Sequence, residues 1–171
     1  MTSRIFLVGF MGSGKSTLGK LLAKEIRYDF VDLDEIIESA EHRTISDIFS
    51  FQGEQNFRLI EQKALHSLAD KENMVLACGG GAPCFFDNAE WMKSHGTMIF
   101  LYCDVEELVA RLKTEQEHRP LIRDLDEQGL TYFITKKLDE RMPYYQKADI
   151  TLFAMPDKAE AVEYLVKVLA P

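Results

Sequence analysis

The chain has 171 residues, of which 46% are hydrophobic and 28% are charged. This length fits one domain of about 100–200 residues, and the composition excludes a disordered or fibrous chain. With 28 acidic against 20 basic residues, the net charge of −8 argues against a nucleic-acid-binding protein. An anionic small molecule would therefore need basic side chains gathered at its binding site.

Cysteine content and hydropathy point to the cytoplasm. Cys78, Cys84 and Cys103 are too few and too irregularly spaced for a disulfide framework or a zinc site, and their odd number favours reduced thiols. No apolar run reaches the roughly 20 residues of a membrane helix. The apolar run 5–11 is interrupted by residues 12–15, and no cleavage-type segment follows it. We expect a cytoplasmic protein that does not contact a membrane.

Short apolar runs alternate with amphipathic stretches along the whole chain. Continuous apolar character is typical of strands that are buried on both faces of a parallel sheet. The alternation predicts an α/β fold with right-handed crossovers. The predicted strands are Arg4–Val8, Tyr28–Leu33, Met74–Cys78, Thr97–Tyr102 and Asp149–Phe153. The predicted helices are Thr17–Ile26, one that follows an N-cap at Asp104, one with the apolar stripe Leu130, Ile134, Leu138 and Met142, and a final one that begins near Asp157.

Two segments exceed the simplest strand–helix–strand plan. Residues 34–70 hold about two or three helices, with a capping arrangement at Thr44–Asp47 and a helix stop at Gly53. Residues 113–126 are polar and poor in apolar anchors, which predicts a mobile loop. Binding loops and lids are usually such excursions from a rigid sheet. No repeat or linker divides the chain, so we interpret residues 1–171 as one domain.

A phosphate-binding motif lies between the first predicted strand and the first predicted helix. Residues 9–16, Gly-Phe-Met-Gly-Ser-Gly-Lys-Ser, match G-x-x-x-x-G-K-[ST]. Glycines let backbone N–H groups surround phosphate oxygens, and the helix N-terminus adds partial positive charge. Lys15 would reach the β- and γ-phosphates, and the Ser16 hydroxyl would bind Mg²⁺. The third glycine of a dinucleotide fingerprint is absent, so the predicted ligand is a nucleoside triphosphate; a turn that only caps the helix is the alternative.

Asp32 and Asp34 end the second predicted strand. Alternation along a strand would place both carboxylates on one side, at the sheet edge beside the phosphate loop. One carboxylate would then serve the metal, and the other would accept a proton or hydrogen bond from an attacking hydroxyl. The alternative is a helix N-cap at Asp34 beside a solvated Asp32.

Glycines and arginines supply further candidates. Gly79–Gly81 follow the third predicted strand and permit close approach of the backbone to a ligand, although a plain turn is the alternative. Arg58, Arg119 and Arg141 are candidate anion ligands, although each taken singly is more often solvated surface charge. Glu61, one helical turn after Arg58, would orient its guanidinium group.

In this order and spacing, these elements resemble the shikimate kinases. The resemblance runs from Gly9 to about Tyr145. It rests on the phosphate loop, Phe30–Asp34, Gly53-Glu54, Phe57-Arg58-x-x-Glu61, Gly79–Gly81, Arg119-Pro120-Leu121, and Arg141 before Tyr144-Tyr145. It implies a P-loop NTPase fold like that of the nucleoside monophosphate kinases, with three layers and a five-stranded parallel sheet in the order 2-3-1-4-5. Residues 34–70 would then be a substrate-binding helical region, and residues 113–126 would be a lid.

The resemblance also implies a reaction and a set of site residues. A monomer would bind ATP and shikimate, with Mg²⁺ as cofactor, and would transfer the γ-phosphoryl group to the 3-hydroxyl of shikimate in chorismate and aromatic amino-acid biosynthesis. The implied catalytic residues are Lys15, Asp34 and Arg119. The implied ATP-binding residues are Gly12, Ser13, Gly14, Lys15, Ser16, Thr17 and Arg119, with Arg111 and Pro156 as candidates near the adenine. The implied metal ligands are Ser16 and Asp32, and the implied substrate-binding residues are Asp34, Arg58, Gly80, Gly81 and Arg141.

Two other interpretations remain open. The first is a different small-molecule P-loop kinase, such as a gluconate kinase, which a panel of acceptors would distinguish. The second is a regulatory module that binds nucleotide without turnover. Such a module would be expected to lack Lys15, Asp34 or the carboxylate-binding arginines, and all of them are present.

Overall fold

The computed structural model describes residues 3–116, 121–153 and 157–170. A five-stranded sheet occupies the centre, with every strand parallel to its neighbours and the order β2-β3-β1-β4-β5. The predicted α/β class and strand order are confirmed. The strands are β1 (Arg4–Val8), β2 (Asp29–Asp32), β3 (Met74–Ala77), β4 (Thr97–Tyr102) and β5 (Ile150–Phe153).

Seven α-helices lie in these three ranges. They are α1 (Lys15–Ile26), α2 (Leu33–Glu41), α3 (Ile45–His66), α4 (Asn88–His95), α5 (Val105–Lys113), α6 (Glu127–Tyr145) and α7 (Lys158–Leu169). The sequence analysis did not predict α4 or the 3₁₀ turn Ala82–Cys84 before it, because the short α4 buries only Asn88, Ala89 and Met92 and so lacks an apolar stripe. Within the described ranges, no helix has both the length and the apolar character needed to cross a bilayer.

Helices cover both faces of the sheet, which gives the three predicted layers. In β1 the side chains of Ile5 and Leu7 pack with α1 and α7, whereas Phe6 and Val8 face the opposite core, to which helices α2 to α6 contribute. All four side chains are fully buried. Burial on both faces explains why the strand sequences are continuously apolar rather than alternating.

The second strand ends earlier than predicted. The Asp32 carboxylate caps α2 by accepting a hydrogen bond from the Asp34 N–H at 3.1 Å, so Leu33 begins a helix. The prediction that Asp32 and Asp34 share one side of a strand is wrong, because a helical turn rather than strand alternation brings the two residues together. The alternative N-cap at Asp34 is wrong as well, since Asp32 is the cap.

The helical region after β2 follows its predicted signals. Thr44 caps α3 by accepting a hydrogen bond from the Asp47 N–H at 3.1 Å, as predicted. Gly53 has φ 77° and ψ 169°, so helical geometry stops there as predicted, and it resumes directly afterwards within α3. This interruption changes the direction of the chain before it reaches Arg58.

The segment 113–126 is better anchored than predicted. Ile122 is fully buried in the core, and the Gln116 side-chain amide donates to the carbonyl oxygens of Ile122 and Leu125, both at 2.8 Å. The predicted lack of apolar anchors is therefore wrong for residues 121–126. Arg119 lies outside the described residues, and so does Pro156.

We expect Gly53→Ala to lower the free energy of unfolding by about 1–3 kcal/mol, because this backbone region is essentially restricted to glycine. A Cβ would meet no atom within 4 Å, so the cost is conformational rather than steric. Urea unfolding measures the change, and Gln55→Ala, two residues further along and exposed, is the matched control. Equal stabilities of the two variants would contradict the assigned strain.

Candidate active site

The phosphate loop has the predicted position between β1 and α1. Gly9, Gly12 and Gly14 have φ angles of 147°, 79° and 93°, which are unfavourable for other residues. Helix α1 begins at Lys15, two residues before the predicted start, and Gly14 is its N-cap. The unpaired amides of the first helical turn therefore belong to the loop itself, as an anion-binding helix N-terminus requires.

Lys15 and Ser16 extend from this loop in different directions. The Lys15 ammonium donates to the carbonyl oxygens of Gly9 and Phe10 at 2.9 and 2.8 Å, which holds it across the loop. The Ser16 hydroxyl donates to Asp32 Oδ2 at 2.9 Å. The loop thus presents a cation on one side and a hydroxyl–carboxylate pair on the other.

The Ser16–Asp32 pair fits a magnesium ion. Both groups offer hard oxygen atoms, and Mg²⁺ in kinases takes one or two protein oxygens together with substrate phosphates and water. Among the residues that the structure describes, no cluster of three or more His, Cys, Asp or Glu side chains could hold a metal by itself. A site completed by nucleotide phosphates is therefore the chemistry that these donors suit.

Asp34 lies in the first turn of α2 and points towards Gly79–Gly81, which we call the triglycine. A Cβ built on Gly79 would lie 3.2 Å from Asp34 Oδ1. Burial raises the pKa of Asp34, the negative charge of Asp32 raises it further, and the Lys15 ammonium opposes both effects. A carboxylate with a raised pKa beside a phosphate loop is suited to hydrogen bonding or proton exchange with a ligand hydroxyl.

Arg58 is buried together with its partner carboxylate. Its Nη1 lies 2.7 Å from Glu61 Oε2, and its Nη2 lies 3.1 Å from Glu54 Oε1. The guanidinium group also lies 5.1 and 4.3 Å from the ring centroids of Phe57 and Phe85. The predicted orientation of Arg58 by Glu61 is confirmed. The alternative, that Arg58 is a solvated surface charge, is wrong because the side chain is buried.

Glu61 is more than a surface partner. Its side chain is 1% exposed, and its Oε1 atom has no hydrogen-bond partner in the described structure. Burial is the main cause that raises the pKa of Glu61, and the adjacent Arg58 charge opposes it. The sequence analysis gave Glu61 only an orienting role and had no signal for its burial.

Each glycine of the triplet faces a different charged side chain. A Cβ would lie 2.7 Å from Glu61 Oε1 at Gly79, 3.2 Å from Arg141 Nη1 at Gly80, and 2.6 Å from Arg58 Nη2 at Gly81. A side chain at Gly79 would crowd Glu61, and side chains at Gly80 and Gly81 would crowd Arg141 and Arg58, so the interpretation as a plain turn is insufficient. In the described structure, the N–H groups of Gly80 and Gly81 donate to no other group.

Arg141 reaches the triglycine from another helix. It is half-buried near the end of α6, and its guanidinium lies 5.3 Å from the centroid of the Phe10 ring. Arg58 comes from α3 and contacts the next glycine along the chain. Two guanidinium groups from separate helices thus lie beside neighbouring glycines, and such groups form strong charge-assisted hydrogen bonds with carboxylates.

A cleft of about 520 Å³ lies between the phosphate loop, the end of β2 and the first two glycines of the triplet. Its lining includes Lys15, Ser16, Asp32, Asp34 and Gly80. The volume suits a small ligand next to a nucleotide phosphate chain. The phosphate-loop cation, the candidate metal ligands and the candidate acceptor contacts Asp34 and Gly80 therefore share one cavity, whereas Arg58 and Arg141 are not among its lining residues.

Three further residues lie at the site through contacts that the sequence did not predict, although Arg111 was a candidate near the adenine. Arg111 is ion-paired with Glu107 and donates to the carbonyl of Gly12 at 2.9 Å. Lys158 Nζ would lie 3.9 Å from a Cβ on Gly14. The Tyr145 hydroxyl donates to Gly80 O at 2.6 Å. The contacts with Gly12, Gly14 and Gly80 join segments far apart in the chain, and no local pattern predicts them, whereas Arg111–Glu107 is an i,i+4 pair within α5.

The fold and the site together define the class. A parallel sheet in the order 2-3-1-4-5, with a phosphate loop after its central strand and an acceptor pocket at the same edge, is the architecture of a P-loop kinase for small molecules. The description of the family whose model matches residues 11–170 is shikimate kinase. The chain belongs to the shikimate kinase family, and it is an ATP-dependent kinase.

Individual relatives agree with this assignment. The chain is 46% identical to a shikimate kinase of Parabacteroides distasonis over 151 residues, which cover 88% of this chain and 87% of that one. The crystal structure of a shikimate kinase from Bacteroides thetaiotaomicron superimposes with a TM-score of 0.94, at 38% identity and 98% coverage of both chains. A shikimate kinase from Acinetobacter baumannii in complex with shikimate gives 0.88, at 33% identity, with coverage of 99% of this chain and 93% of that one.

We expect Arg58→Met to lower the free energy of unfolding by about 3–5 kcal/mol, because it leaves the Glu61 charge buried without its cation. The double variant Arg58→Met/Glu61→Leu should recover most of that loss, since an apolar pair avoids the desolvation of two charges. Both are measured by urea unfolding at neutral pH.

The exposed pair Lys167–Glu163 on α7 is the matched control, with side chains that are 71% and 68% exposed. Lys167→Met should change stability by less than about 1 kcal/mol. Similar losses for Arg58→Met and Lys167→Met would contradict the energetic difference between the buried and the exposed pair.

Proposed function

We propose that this chain transfers the γ-phosphoryl group of ATP to the 3-hydroxyl of shikimate, a step in chorismate and aromatic amino-acid biosynthesis. The observation that carries the proposal is the cleft that the phosphate loop shares with Gly79 and Gly80, beside which the guanidinium groups of Arg58 and Arg141 lie. Shikimate combines a carboxylate with several hydroxyl groups, which these side chains complement. The solved relative from Acinetobacter baumannii that holds shikimate supports the same acceptor.

On the donor side, the phosphate loop binds ATP. The backbone of Gly12, Ser13 and Gly14 surrounds the phosphates, and Lys15 neutralises the charge that develops on the transferred group. Ser16 and Thr17 lie in the first turn of α1, whose N-terminus faces the same anion. Arg119, in the proposed lid of residues 113–126, supplies a further positive charge to the phosphates, as the resemblance implies.

The metal belongs to the hydroxyl–carboxylate pair. Ser16 and Asp32 hold Mg²⁺ through their oxygen atoms, which are already within hydrogen-bonding distance of each other. When bound, the ion neutralises charge on the β- and γ-phosphates. The role of Asp32 is thereby separate from that of Asp34.

On the acceptor side, the charges complement shikimate. Arg58 and Arg141 bind the carboxylate, which an acidic protein would otherwise repel, and Glu61 keeps the Arg58 fork in place. Gly80 and Gly81 seat the ring through their backbone. Asp34 binds the acceptor hydroxyls and orients the attacking oxygen towards the phosphate loop.

The same proposal covers assembly and location. The proposed form is a monomer, in which one chain supplies the whole site. The three cysteines are unpaired, which suits a reducing compartment and supports the cytoplasm.

The proposal predicts ADP release from ATP and Mg²⁺ that depends on shikimate, measured by a coupled assay. Gluconate in place of shikimate should give no release above background. Lys15→Met should lower kcat by at least about 10²-fold with an unchanged fold by circular dichroism, because it removes transition-state charge stabilisation. Preference for gluconate would identify a different kinase, and nucleotide binding without turnover of any acceptor would indicate a regulatory module.

Asp34→Asn and Asp32→Asn should have different consequences. Asp34→Asn should lower kcat by about 10²-fold or more, in the range of acid–base and positioning effects, whereas Asp32→Asn should raise the Mg²⁺ concentration needed for half-maximal rate. Titration of Mg²⁺ in the coupled assay measures both. Rescue of Asp34→Asn by added Mg²⁺, without rescue of Asp32→Asn, would reverse the two roles.

The pH profile gives a further test of Asp34. Its ionised form is the active one, and its pKa is raised above 3.8 by burial and by Asp32. The rate should therefore fall as pH decreases through that raised pKa, so the acidic limb of kcat/KM should lie above the pH expected for a solvated aspartate. Asp34→Asn should lack this limb.

A further inference from the structure

Tyr145 connects the end of α6 to the triglycine. Its side chain is fully buried, and its hydroxyl donates a hydrogen bond to Gly80 O at 2.6 Å. Its ring stacks on Phe100 of β4, with the centroids 4.9 Å apart and an interplanar angle of 25°. Burial raises the pKa of Tyr145 well above that of a solvated phenol, so the hydroxyl remains a donor throughout the working pH range.

Gly80 is the point at which the phosphate loop and the acceptor contacts meet. A Cβ at Gly80 would lie 3.4 Å from both Gly9 O and Met11 N, and 3.2 Å from Arg141 Nη1. The glycine is therefore enclosed by the loop on one side and by a carboxylate-binding candidate on another. A rotation of the peptide between Gly80 and Gly81 would change the surroundings of both the nucleotide phosphates and the acceptor.

The orientation of the Gly80 carbonyl determines the orientation of the Gly81 N–H. The carbonyl of Gly80 and the N–H of Gly81 belong to the same planar trans peptide, so they point in opposite directions. A hydrogen bond that fixes the carbonyl also fixes the N–H. The Gly81 N–H has no acceptor in the described residues, so it is available to a ligand.

Glycines on both sides make this peptide easy to rotate in the absence of a tether. Gly79, Gly80 and Gly81 have no Cβ to restrict φ and ψ, so their intrinsic preference does not select one orientation. In the described structure, the Tyr145 hydroxyl is the side-chain donor to this carbonyl. Arg141 lies one turn before Tyr145 on the same helix, so both residues depend on the same helix end.

We propose that Tyr145 is a positioning residue for the acceptor substrate: its hydroxyl fixes the peptide between Gly80 and Gly81 so that the Gly81 N–H faces the acceptor pocket beside Arg141. The inference rests on the proposed function, because it assumes that this pocket binds shikimate. Tyr145 touches no reacting atom and acts through the backbone of the triglycine.

Tyr145→Phe tests the hydroxyl alone, because the ring and its stacking on Phe100 are retained. The KM for shikimate should rise by about tenfold, the factor that corresponds to one neutral hydrogen bond, while the KM for ATP should stay within about twofold of its original value. Calorimetric titration with shikimate should show the same loss of affinity. Incorporation of p-aminophenylalanine in place of Tyr145 restores a donor at the same place and should recover the KM for shikimate.

Tyr132→Phe is the matched control, since Tyr132 lies on the same helix and is 69% exposed. It should leave both KM values and the thermal midpoint unchanged. A purely structural Tyr145 would lower the thermal midpoint in Tyr145→Phe without separating the two KM values, and that result would overturn the proposal. An equal rise in both KM values would overturn it as well.

Failure of the function is distinguishable from failure of the inference. An unmodified protein that neither binds nor phosphorylates shikimate would refute the function, whereas unchanged shikimate affinity in Tyr145→Phe would refute only the positioning role.

Discussion

The parallel pairing of β1 with β3 is the contact on which the active site depends. Leu7 lies opposite Ala77 in this pair, so the two strands end side by side. The phosphate loop leaves one strand end and the triglycine leaves the other, and a Cβ at Gly80 would lie 3.4 Å from Gly9 O. The donor and acceptor sites are adjacent because the register of β1 and β3 places the two strand ends next to each other. The helices that contribute side chains to the site surround this carboxyl edge of the sheet.

A second constraint is electrostatic. The chain carries a net charge of −8 and yet uses anionic ligands, so its cations must be held at the site against a repulsive background. Carboxylates hold two of the guanidinium groups in place: Glu61 contacts Arg58, and Glu107 contacts Arg111. Orientation that is fixed before the ligand arrives lowers the entropy that binding would otherwise lose. The burial of Glu61 is the energetic cost of that orientation.

Close approach of the backbone completes the pocket. Gly79 and Gly81 lie so near a charged side chain that a Cβ would clash with it, and a Cβ at Gly80 would fit tightly against Arg141. The absence of side chains lets Arg58 and Arg141 reach the strand end, but it also removes the steric restraint on the peptides. The hydrogen bond from Tyr145 to Gly80 supplies a restraint that the glycines lack. Access and rigidity at this site therefore come from different parts of the chain.

The sequence by itself determined the features that depend on neighbours along the chain. Apolar runs predicted the five strands, the spacing of residues 9–16 predicted the phosphate loop, and capping signals predicted the N-cap at Thr44 and the helix stop at Gly53. The apolar pattern predicted too long a strand before Asp34, because the Asp32 side chain caps a helix that begins at Leu33. Only the tertiary structure decided which groups meet: the Tyr145–Gly80 bond spans 65 residues, and the Arg111–Gly12 bond spans 99. Such contacts follow from strand order and helix packing, which periodicity within one segment does not encode.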